Sequence, residues 1–127
     1  MNEALSSYRE LEIGSSSPEV LVLRLYEAAL RHCRAAREHI EAGRVRERSL
    51  AISKTLAIVG ELQQVLDFER GGSIARELDR LYGFVSGRLV DAAISDDVRA
   101  IDDVVRVLEP LWDGWLGIVE GRAEDAA

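Results

Sequence analysis

Two histidines, one cysteine and a glycine pair are the residues whose chemistry comes first to mind in this chain. His32 and His39 stand seven apart, on one side of any helix that contains both. Helical bundles build di-iron sites from glutamates and Glu-x-x-His pairs. Here Ala29 and Ala36 stand three residues before the histidines, so that motif is absent twice. A phosphorelay bundle would use one exposed histidine, and His39 is the only candidate for it. Cys33 lies among apolar and basic residues, with no acid or base spaced to use its thiol, and reads as a structural cysteine. Gly71-Gly72 lacks the preceding strand and the following Lys-Ser/Thr of a phosphate loop, so it reads as a turn. No catalytic residue, metal ligand or cofactor site emerges, and a non-enzymatic protein is expected.

The remaining composition agrees. The chain has 127 residues with 23 acidic and 16 basic side chains, a net charge of −7. Such a length suits one domain and buries enough surface to fold without a metal or disulfide. Charge is uneven: residues 24–54 hold eight basic and four acidic residues, whereas 55–127 hold seven and fifteen. The arginines Arg31, Arg34, Arg37, Arg44, Arg46 and Arg48 are the only basic series. A solvated helix face beside an acidic neighbour explains them better than nucleic acid does. No apolar run approaches the ~20 residues of a membrane span. The start MNEALSSYRELEIG has neither the basic residues nor the apolar block of a signal peptide. A soluble cytoplasmic protein is expected, without membrane insertion.

The elements that carry these residues are helices. Strand-type alternation is absent, and helical periodicity recurs four times. Ser17 and Pro18 start a helix over 18–42 that Gly43 stops. A second runs from about Arg46 to Asp67. A third covers 73–94 with the stripe Ile74, Leu78, Leu81, Val85, Leu89 and Ala92. A fourth covers 98–120 and should kink at Pro110. Short connections make neighbours antiparallel, so the expected fold is all-α, an antiparallel up-and-down four-helix bundle over 18–120. An N-terminal arm, 1–17, precedes it and a frayed tail, 121–127, follows. Helices one and four can then lie side by side, the arginine-rich against the acid-rich.

Two features exceed core building. The second helix has two apolar rows, Ile52, Leu56, Val59, Leu66 and Ala51, Thr55, Ile58, Leu62, Val65. The first row is read as core and the second as an outward greasy face. The arm carries Leu5, Tyr8, Leu11 and Ile13 through a serine-rich stretch. These could cover that face reversibly, until a partner's amphipathic helix displaces them.

Two stretches carry a family resemblance. SYRELEIGSSSPEVLVLRLYEAAL is similar to the N-terminal signature of FliS-type flagellar secretion chaperones, through Tyr8, Ile13, Ser15, Ser17, Pro18, Leu25, Tyr26, Glu27 and Ala29. LDFERGGSIARELDRLYGFVSGRLVDA resembles that family's second block through Leu66, Asp67, Glu69, Gly71, Gly72, Ile74, Ala75, Leu78, Leu81, Tyr82, Arg88, Leu89 and Ala92. Pro110 and Trp112 depart from its usual pattern. The resemblance implies a four-helix bundle with an arm that binds the C-terminal segment of flagellin in the cytoplasm. It also implies delivery of that client to the flagellar type III export gate, with no cofactor. The candidate client-binding residues are Ala51, Thr55, Ile58, Leu62, Val65 and Tyr82. A homodimer is compatible with the sequence. The alternative is a regulatory or adaptor bundle such as a phosphorelay module.

Overall fold

The computed structural model describes residues 17–126. The chain forms four helices: α1 Pro18–Ala42, α2 Val45–Gln64, α3 Phe68–Ser95 and α4 Val98–Ala126. Each begins and ends for a local reason. The Ser17 side chain accepts a hydrogen bond from the Val20 amide at 3.3 Å, with Pro18 in the first helical position. Gly43, at φ 71°, closes α1 in the left-handed conformation that costs glycine little. Asp67 caps α3 by accepting from the amides of Glu69 and Arg70, both at 3.1 Å. Asp97 accepts from the Arg99 amide at the start of α4.

Around the bundle α1 packs on α2 and α4, and α3 packs on α2 and α4. This is the antiparallel up-and-down arrangement expected from four helices with short turns. The adjacency of α1 and α4 brings opposite charges together where Arg37 pairs with Asp102; a hydrogen bond from a neutral donor joins the same helices, the Trp112 indole donating to Glu27 at 3.2 Å. Arg88 of α3 binds Asp103 of α4 at 2.9 Å. At the end holding the α1–α2 and α3–α4 turns, Arg48 pairs with Asp96, so one ion pair ties both turns.

The core differs from the sequence reading in three places. Both rows of α2 turn inward: Ala51, Ile52, Thr55, Ile58, Val59 and Leu62 are all buried. The reason is that α2 packs against two neighbours, α1 and α3, so a wider face than one row is covered. In α3 the buried stripe is Ala75, Tyr82, Val85, Leu89 and Ala92, whereas Ile74 is 70% exposed and Leu81 only half-buried. Tyr82 enters the interior because its hydroxyl finds a partner there. Finally, the boundaries shift. The chain bends back into helix at Phe68, and Gly72 departs from helical geometry inside α3, with φ 51° and ψ −122°. Helix α4 runs through Pro110 and continues to Ala126, past the tail boundary expected at 120; Ala and Glu in that stretch are good helix formers.

Candidate functional site

The end of the bundle opposite the Arg48–Asp96 pair carries an apolar groove of about 510 Å³, to which all four helices contribute. From α1 come Glu19 and Val22; from the end of α2 and the turn after it, Leu62, Val65, Leu66 and Asp67. The start of α3 gives Arg70, Gly71, Ile74, Ala75 and Leu78, with Tyr82 further in, and α4 gives Trp115. Val65 and Ile74 are 54% and 70% exposed, and Phe68, the first residue of α3, is 47% exposed. Large apolar side chains are costly to leave in water when they cluster around a concavity.

Tyr82, the innermost α3 residue of the groove, is hydrogen-bonded within the protein. The Tyr26 and Tyr82 hydroxyls share a hydrogen bond, and Trp115 supplies Tyr26 with another. Burial pushes both phenols above the ordinary tyrosine value. For Tyr82 the adjoining Tyr26 raises it further, whereas the bonds from Tyr82 and Trp115 partly oppose the rise at Tyr26. Neutral, mutually bonded hydroxyls leave an occupant little to bond with. The groove's apolar walls suit an apolar side chain, with the charged groups of Glu19, Asp67 and Arg70 also among its lining.

The expected client-binding residues divide. Leu62, Val65 and Tyr82 line the groove. Thr55 and Ile58 are fully buried, with the Thr55 hydroxyl donating to the Ala51 carbonyl at 2.9 Å. Ala51, 5% exposed, lies on a separate shallow crevice between α1 and α2. The expectation of an outward row along α2 is thus corrected: of that row Ala51, Thr55, Ile58 and Leu62 are buried and Val65 alone is exposed. Val22, Leu66, Leu78 and Trp115 are additions. For Leu66 and Leu78 the signal was the crowding of apolar residues on both sides of Gly71-Gly72; Val22 and Trp115 come from distant helices that only the packing brings there. The arm residues Leu5, Tyr8, Leu11 and Ile13 lie outside the described residues. Ser17, where the described chain starts, adjoins Glu19 on the groove's edge.

The other candidates for chemistry are elsewhere. His32 and His39 line the α1–α2 crevice with Lys54 and Glu47. Burial, then Lys54 and Arg31, lower the His32 pKa, an environment that opposes a cation. The Nδ1 of His39 is enclosed without a hydrogen-bond partner. Cys33 is fully buried, and burial raises its thiol to about 12 against the pull of the Thr55 hydroxyl. Among the described residues no three His, Cys, Asp or Glu side chains group as metal ligands, and no helix is long and apolar enough to cross a membrane.

A family profile described as flagellar protein FliS matches residues 1–122. The chain belongs to the FliS family. Its relatives include the flagellar secretion chaperone FliSB of Pseudomonas aeruginosa, 36% identical over 109 residues, which are 86% of each chain. The flagellar secretion chaperone FliS of Salmonella typhimurium is 34% identical, over 84% of this chain and 79% of that one. That of Campylobacter jejuni is 32% identical, over 90% and 89%. A crystal structure of a flagellar chaperone from bacteria superposes with a TM-score of 0.77 at 24% identity, covering 94% of this chain and 97% of the other. That likeness confirms the bundle. The groove described above is thus a feature of a FliS-family bundle, and the relatives' names describe chaperones rather than enzymes.

Proposed function

We propose that this FliS-family protein is a cytoplasmic chaperone that holds the C-terminal segment of flagellin before export. The groove carries this reading: an open concavity with largely apolar walls suits a helix that presents one apolar face. The client segment would be disordered when free and would fold on the bundle, losing ordering entropy and gaining apolar burial. Masking the segment prevents premature polymerisation, and release at the flagellar export gate returns it to the assembly. The N-terminal arm joins the chain at the groove's edge. Its Leu5, Tyr8, Leu11 and Ile13 would cover the apolar walls until the client arrives.

A pull-down decides the reading. Flagellin from the same cells should co-purify with this chain, and flagellin lacking its C-terminal segment should not. Equal recovery of both forms would place the client contact elsewhere on flagellin, and recovery of neither would remove flagellin as the client.

A further inference from the structure

The start of α3 is a single helical turn set apart from the rest of the helix. Asp67 caps it, the Gly71 amide donates to the Asp67 carbonyl at 2.7 Å, and Gly72 then leaves helical geometry at φ 51°, ψ −122°. An L-residue rarely adopts that conformation; its mirror image, near φ −51°, ψ 122°, is close to ordinary extended backbone. The neighbouring Gly71 has its own requirement, since a Cβ there would stand 2.8 Å from the Ala75 Cβ. A regular helix through Gly72 would prolong the α3 axis away from this bend. With the bend, Asp67, Arg70 and Gly71 form one wall of the groove, and Phe68, 47% exposed, rides on the same turn.

We infer that Gly72 is a positioning residue for the client. Its left-handed backbone holds the Asp67–Gly71 turn as a wall of the groove, and Phe68 on that turn closes over the bound segment. This rests on the groove being the client site. Gly72 itself contacts nothing through a side chain, and a Cβ there would meet open space within 4 Å. Any effect of substitution therefore comes from backbone conformation and not from a clash.

Chirality separates these causes. Gly72→Ala and Gly72→D-Ala, made by ligation of synthetic segments, add the same methyl group, but only the D-residue favours the observed backbone. Affinity is read by titrating the C-terminal segment of flagellin, with melting temperature measured alongside. Gly72→Ala should bind about tenfold more weakly, the scale of a strained backbone angle. Gly72→D-Ala should bind within about twofold of the parent. Phe68→Ser, at an exposed position that leaves the fold intact, should also weaken binding. It keeps the inference testable should Gly72→Ala fail to fold. Equal affinity for both chiral variants overturns the role of Gly72, as does unchanged binding by Phe68→Ser for the closing turn. The parent reading has its own control: Val65→Asp must abolish binding. If the parent chain binds and Val65→Asp does not, but the chiral variants are equal, the client site stands and this inference alone falls. If the parent chain fails to bind the segment, both fall.

Discussion

Tyr26 of α1 and Tyr82 of α3 meet across the diagonal of the bundle, their hydroxyls hydrogen-bonded and their ring centroids 6.4 Å apart. The helices that carry them are not neighbours in the ring of packed pairs. This pair therefore joins two elements that otherwise communicate only through α2 and α4. Tyr82 also lines the groove, so the same contact braces the fold and holds one of the groove's side chains in place.

Removing one hydroxyl should cost stability without changing the architecture. In Tyr82→Phe the Tyr26 hydroxyl keeps Trp115 as a partner. The expected loss is about 0.5–1.5 kcal/mol in urea unfolding, the usual net value of one hydrogen bond. Tyr82→Ala also leaves a cavity under the groove and should lose about 3–5 kcal/mol. A neutral Tyr82→Phe would mean that the diagonal bond contributes nothing.

Alkaline pH should destabilise the folded chain in a defined window. The folded pKa of Cys33 stands at about 12 against an ordinary 9.0. The unfolded thiol then loses its proton first, the native state binds more protons, and stability falls as pH rises between these values. The two phenols, also raised, add to the fall above about pH 10. Well below pH 9 all three groups are protonated in both states and contribute no slope. Chemical unfolding at stepped pH checks this, and Cys33→Ala should remove the earliest part of the fall. The thiol should also resist alkylation in the native protein at pH 8 and react on unfolding.

Ile58 and Val65 stand two turns apart on and after α2 but should respond differently to the same change. Ile58 is fully buried, so Ile58→Asp places an unpaired carboxylate in the core and should unfold the chain. Val65 is half exposed at the groove, so Val65→Asp should preserve helicity and melting temperature while abolishing flagellin binding. Circular dichroism and titration on both variants test the assignment. A folded Ile58→Asp protein would contradict the burial.

Deleting residues 1–14 should expose the groove. The truncated chain is expected to aggregate more readily, and its affinity for flagellin should stay equal or rise, because a cover lowers apparent affinity by the closed fraction. Hydrogen exchange of the arm should accelerate when flagellin is added. Slower exchange would make the arm a clamp. Tyr8→Ala repeats the distinction: a displaced cover leaves binding equal or tighter, whereas a clamp loses it.

Much of the architecture is local and was legible in the chain. Ser17-Pro18 and Gly43 bound α1 through groups within a few residues, so cap and stop need no tertiary information. The up-and-down topology allowed α1 beside α4, which accounted for the charge split between 24–54 and 55–127, and Arg37 pairs with Asp102 across that contact. Family membership was also legible, in the residues flanking Pro18 and Gly71-Gly72. Which face of each helix turns inward was not. Two apolar rows on α2 are consistent with one core face plus one client face, or with two packed neighbours. Only the position of α2 between α1 and α3 decides for the second. The burial of Tyr82 was not legible, because the partner of its hydroxyl, Tyr26, lies 56 residues away. The groove likewise exists in no single helix: it is the space left where four helix ends and the Gly72 bend fail to fill a common volume. Periodicity fixes what a helix can bury, and the packing of its neighbours fixes what it does bury.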